Sequence, residues 1–177
     1  MIRLVLHSNV CLTWFTRGRP DGAESARSIE LHRRVRDGAI GLIEPPTWRA
    51  EIADSLARSG AQPFDAVMTD LVRIDATIDD SPECLHEAAM LARRLRRRVF
   101  DTLYHAAALR HGVALITTNS GYYRAARSLG NIALLRDWTP NAVRERPVRY
   151  RLRPRSTPVR CRKLRRNPPS DRAIVGK

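Results

Sequence analysis

The sequence predicts an α/β fold in which short parallel strands are joined by helical crossovers. Three observations predict it. Apolar runs too short for helices recur at Ile2 to Leu6, Ala39 to Ile43, Val113 to Thr118 and Ile132 to Leu135. Between them lie stretches whose apolar residues repeat at intervals of three and four, the period of a helix face. Gly, Pro, Asn and Asp stand at the boundaries, where turns and caps need them.

The elements follow in order. Ile2 to Leu6 is a buried strand, interrupted once by Arg3 and ended by polar His7, Ser8 and Asn9. After a turn over Gly18 to Gly22, Ala23 to Val35 has small or apolar residues at Ala26, Ile29, Leu31 and Val35 and is closed by Asp37-Gly38. Ala39 to Ile43 is the second strand; Pro45-Pro46 ends it and presets a helix that has Thr47 as its expected N-cap and Gly60 as its C-terminal cap. Pro63 to Ile78 carries Phe64, Val67, Leu71, Ile74 and Ile78 and predicts one amphipathic helix. Cys84 to Arg98 and Asp101 to His111 predict two more, the second stopped by Gly112. Val113 to Thr118 is then a strand, Tyr122 to Leu129 a short helix and Ile132 to Leu135 the last strand. In a parallel sheet of this kind ligands bind beyond the carboxyl ends of the strands, which places His7 to Asn9 and Thr117 to Asn119 at the candidate site.

The 177 residues suit one domain plus an appendage. A composition that is 43% hydrophobic and 28% charged excludes a fibrous or wholly disordered chain. The net charge of +14 is uneven: 13 of the 32 basic residues but only 2 of the 18 acidic ones follow Thr139, leaving 19 basic against 16 acidic residues before it. The expected organisation is therefore a nearly neutral domain at 1–139 and a basic, Pro- and Arg-rich tail at 140–177, too poor in apolar residues to offset the cost of ordering. Such a tail suits nonspecific nucleic-acid contact through counterion release, or an acidic partner. Cys11, Cys84 and Cys161 are odd in number and widely spaced, which argues against a disulfide framework or a zinc site and for a reducing, cytoplasmic setting. The apolar run at Ile2 to Leu6 is too short for a signal-peptide core or a membrane span.

Four stretches carry a resemblance. They are Leu4 to Val10 with Trp14-Phe15 behind it, Glu44 to Ile52, Phe100 to Tyr104, and Leu115 to Asn119; Ala133 to Trp138 closes the set. In order and spacing they resemble the PIN domain of the VapC-type toxins, over about residues 1–139. The resemblance implies a three-layer α/β/α sandwich around a parallel sheet. It also implies a metal-dependent endoribonuclease, in which carboxylates gather Mg²⁺ or Mn²⁺ to activate water and steady the scissile phosphate. A cognate antitoxin protein and a homodimer are the partners it implies, with RNA as substrate and no membrane.

On this sequence the second acid of the pattern falls on Glu51 and the third on Asp101, and Asn9 and Thr117 match polar positions near the metal or its waters. The first acid is replaced by His7 and the fourth by Asn119. Losing two carboxylates weakens a site built to hold a hard dication, so impaired or absent Mg²⁺-dependent cleavage is expected. An imidazole-containing set suits Mn²⁺ or Zn²⁺ better. The competing expectation is a catalytically inactive PIN-like module that binds RNA or the antitoxin. Outside the resemblance, His7 reads as a hydrogen-bonded strand-end histidine, Glu51 as a favourable charge in a first helical turn and Asp101 as an N-cap. Arg93, Arg94, Arg96, Arg97 and Arg98 form a basic helix end. Of these Arg94, Arg97 and Arg98 are candidate RNA-phosphate contacts, and a solvated face is the alternative.

Overall fold

Leu4, Val5 and Leu6 follow one another without a polar interruption, as strands covered on both faces do. The computed structural model describes residues 2–16, 23–60 and 63–139. There Ile2–Leu6 forms β1, the middle strand of a five-stranded parallel sheet. Its partners are β2 (Ile40–Glu44), β3 (Thr77–Ile78), β4 (Ala114–Thr117) and β5 (Ile132–Leu134), in the order β3-β2-β1-β4-β5. Leu4 stands beside Leu42 on one side and Ala114 on the other. Leu4, Val5 and Leu6 are fully buried, and each such side chain contributes about 1.5–3 kcal/mol by leaving water.

Seven helices lie among the described residues: α1 (Ser8–Leu12), α2 (Ala23–Arg36), α3 (Trp48–Ser59), α4 (Phe64–Arg73), α5 (Pro82–Leu95), α6 (Val99–His111) and α7 (Ser120–Ala126). From β1 the chain steps to β2 and β3 on one side, then returns to β4 and β5 on the other. Right-handed crossovers therefore set α1 to α4 on one face and α5 to α7 on the opposite one, giving three α/β/α layers. Thr102 to Ala108 are buried without a break, so α6 is a helix enclosed on all sides, packed on β1, β2 and β4 and covered by α5. Its run Ala106-Ala107-Ala108 lets the backbone approach the sheet closely. Strand order reverses between β1 and β4, and the crevice at their carboxyl ends is where sheets of this class bind ligands.

Three expectations need correction. The stripe from Pro63 to Ile78 is not one helix: α4 ends at Arg73, Ile74 turns extended, and β-branched Thr77 and Ile78 pair with Ile43 and Glu44 as an edge strand. The helix expected to run from Cys84 to Arg98 stops at Leu95, because Arg96 takes the left-handed conformation and the Arg97 N–H returns to the Ala92 carbonyl. Asp101 is no N-cap, since α6 begins at Val99 and places it in the first turn. The short helix α1 had no counterpart among the predicted elements. The turn over Gly18 to Gly22 and the tail at 140–177 lie outside the described residues. Among those described, no helix is long and apolar enough to cross a membrane.

Arg96 fills a position that glycine usually takes, at φ 53°. Arg96→Gly is expected to stabilise the fold by about 0.5–1 kcal/mol, a rise of about 1–4 °C in melting temperature. An unchanged or lower melting temperature would show that the arginine side chain compensates for its backbone.

Candidate functional site

His7 is the first residue beyond β1. Its backbone N–H donates to the Ile116 carbonyl, which continues the β1–β4 pairing by one step and carries the imidazole into the crevice. Thr117 ends β4 alongside it, and the two side chains meet with Nδ1 and Oγ1 3.0 Å apart. Thr117 Oγ1 also accepts from the Asn119 backbone N–H at 3.0 Å and, at 3.5 Å, from Asn9 Nδ2. A hydroxyl has two lone pairs and one proton, so with both lone pairs taken it donates to His7 Nδ1. The imidazole proton then sits on Nε2, which faces Asp101 Oδ1 at 3.4 Å. Edge-on contact with Tyr104, ring centroids 4.8 Å apart, fixes the ring plane.

Asp101 reaches this point from the first turn of α6, and Glu51 arrives from the first turn of α3. Glu51 is held at both oxygens: Oε1 accepts from Thr47 Oγ1 at 3.0 Å and Oε2 from Ser8 Oγ at 3.2 Å. Thr47, expected as a cap, has its hydroxyl turned to Glu51 and makes no cap hydrogen bond. Burial pushes the Glu51 carboxyl above the usual carboxylate range, and these two hydrogen bonds oppose the shift. Burial and then the nearby Glu51 charge raise the phenol of Tyr104 as well.

Asn119 follows β4 by two residues with its oxygen already committed. Oδ1 accepts from the Tyr122 N–H at 2.9 Å and caps α7, and a Cβ at Gly121 would stand 3.3 Å from that atom. Asn9 Oδ1 accepts from the Thr118 N–H at 3.3 Å, so Asn9 pins the β4 turn. The structure thus brings His7, Asp101, Thr117 and Asn9 into one connected network. Glu51 stands next to it through Ser8, and Asn119 joins it by its backbone. Among the three arginines singled out, Arg98 lines a cleft of about 340 Å³ with Ser8, Glu51, Phe100 and Asp101. Arg97 leans toward the Gly121 carbonyl at 3.4 Å, and Arg94 lies on the last turn of α5 without lining the cleft.

The donor set does not fit Mg²⁺. His7 Nδ1 is occupied by Thr117 and the Asn119 oxygen is spent on a helix cap, which leaves Glu51 and Asp101 as the carboxylates of the four residues predicted to hold the ion. Among the described residues no group of three or more His, Cys, Asp or Glu side chains is placed to hold a metal ion. Ser8 and Thr47, the partners of Glu51, and Tyr104, the ring packed on His7, were not singled out from sequence. The signal was spacing: Ser8 directly follows His7, Thr47 precedes Glu51 by one helical turn, and Tyr104 follows Asp101 by three residues.

The PIN domain family model matches residues 4–128. Among solved structures, a toxin-antitoxin complex from Klebsiella pneumoniae is similar at 14% identity and a TM-score of 0.54, covering 75% of this chain and 97% of that one. VapBC2 from Rickettsia felis, bound to a DNA fragment from the promoter, is similar at 17% identity and a TM-score of 0.52, with the same coverage of 75% and 97%. At these identities the likeness is one of fold. No curated protein matches the chain in sequence.

Proposed function

The chain belongs to the PIN-domain family, and from that premise we propose that it is a VapC-type toxin of a toxin-antitoxin pair whose substrate is RNA and whose metal-dependent phosphodiester hydrolysis is impaired. One observation carries the reading: where the family pattern has its first acid, the imidazole of His7 stands instead, 3.4 Å from Asp101, and supplies no carboxylate oxygen. The exchange removes one of the charged oxygen ligands that Mg²⁺ or Mn²⁺ would need.

A second reading is a catalytically inactive module that binds RNA or the antitoxin. It is favoured by the lack of a three-ligand group among the described residues. Both readings take residues 1–139 as the working domain and the basic stretch at 140–177 as an appended nucleic-acid or partner contact. Both also keep a protein partner, antitoxin or second copy. A cleft of about 490 Å³ in which Trp14, Phe15, Val35 and Ile74 stand among charged Arg36, Asp70, Arg73 and Asp75 supports that part, because a mixed apolar and charged lining suits an amphipathic partner helix.

The test is a cleavage assay of the natural protein on single-stranded RNA with Mg²⁺, Mn²⁺ or Zn²⁺. Little or no cleavage is expected in Mg²⁺. Brisk Mg²⁺-dependent turnover would overturn the impaired reading, and the complete lack of activity with every ion would select the binding module.

A further inference from the structure

We propose that Phe100 is a base-stacking platform for single-stranded RNA, an inference that rests on the RNA reading of the same site. Its ring is 49% exposed, although α6 buries nearly everything that follows it. An exposed apolar side chain is ordinary, but this one is placed in a charged cleft. Three carboxylates, Glu51, Asp54 and Asp101, and two arginines, Arg58 and Arg98, line with it a space of about 340 Å³, within the range of small-ligand pockets.

Its setting separates two chemistries. Arg98 and Phe100 are two residues apart at the start of α6, and both line the cleft. The Arg98 guanidinium makes no hydrogen bond or ion pair among the described residues, whereas Arg58 is paired with Asp54. A free arginine beside an open aromatic face offers one phosphate contact and one π-surface, the combination that holds single strands without reading their sequence. A protein partner would instead favour a contiguous apolar patch; Val99 next to Phe100 is exposed too, but does not line the cleft, where charged side chains accompany the ring. The backbone reinforces the placement, because left-handed Arg96 makes the α5–α6 connection tight and fixes residues 98 to 100 at the mouth of the crevice.

The experiment measures fluorescence anisotropy of a fluorescein-labelled single-stranded oligoribonucleotide, alone and annealed to its complement, with the full chain. The natural protein is expected to prefer the single strand. Phe100→Leu, which keeps apolar bulk without a π-face, is expected to weaken single-strand binding about 5- to 100-fold and to erase that preference. Phe100→Trp is expected to retain both. The position is exposed, so an unchanged circular dichroism spectrum is expected for each variant. If the natural protein binds RNA and Phe100→Leu binds it equally well, the stacking role is overturned while the RNA reading stands. If the natural protein binds no RNA, both fall.

Discussion

Converting His7→Asp and Asn119→Asp together will raise Mg²⁺-dependent cleavage of single-stranded RNA by on the order of a hundredfold, equal to about 2.7 kcal/mol of barrier. The expectation follows from the ligand inventory. Asn119→Asp keeps the cap on α7, since its oxygen still accepts from the Tyr122 N–H and aspartate caps helices as well as asparagine does. It adds an oxygen and a charge without disturbing the fold. His7→Asp removes the N–H that faces Asp101 and frees Thr117 Oγ1. Two carboxylates are then added at the crevice that already holds Glu51 and Asp101, which is unfavourable without a cation and favourable with one. The metal-free double variant is therefore expected to melt lower than the natural protein. At ten times its dissociation constant, Mg²⁺ adds about 1.4 kcal/mol to that variant, or about 3–6 °C. The natural protein is expected to respond little. A double variant that neither cleaves RNA nor gains melting temperature in Mg²⁺ would show that the site has lost more than two ligands.

Much of this arrangement was legible beforehand, for physical reasons. A buried parallel strand must be apolar on both faces, so Leu4-Val5-Leu6 announced β1, and the residue where polarity begins, His7, had to lie at its carboxyl end. Glycine is informative where a helix must end left-handed, and Gly60 and Gly112 both sit there, at φ 65° and 64°. Arg96 does the same work with no sequence signal, which is why α5 was expected to be three residues longer. The stripe through Ile74 and Ile78 misled because spacings of four fit a helix, whereas β-branched Thr77 and Ile78 had an open sheet edge to join. Position along the chain was enough to bring His7 and Asp101 together. What Asn119 does with its oxygen was not readable, because a cap and a ligand demand the same atom.

Glu44→Gln will stabilise the protein at neutral pH and leave it nearly unchanged in mild acid. Glu44 ends β2 and is fully buried. Its Oε1 accepts the Leu6 backbone N–H at 2.8 Å, while Oε2 has no partner. Burial pushes its carboxyl well above the usual range; the Leu6 N–H opposes the shift and the Glu51 charge adds to it. The folded protein therefore holds this proton where the unfolded chain releases it. Above the unfolded value, near 4.3, the folded state binds more protons, so stability falls as pH rises, by up to about 1.4 kcal/mol per unit from this group. Glutamine keeps the oxygen that Leu6 needs and cannot ionise, so it removes that slope. Glu44→Leu removes the acceptor too, and the stranded Leu6 N–H then costs about 1–3 kcal/mol. Urea unfolding at about pH 5 and about pH 8 separates the cases, and comparing variant with natural protein cancels other buried acids such as Glu87. Parallel pH profiles for the natural and Gln proteins would mean that Glu44 is charged in the fold. In that event the carboxylate beneath Glu51 would raise the negative charge at the crevice, and the site would hold cations better than its His7–Asp101 pair implies.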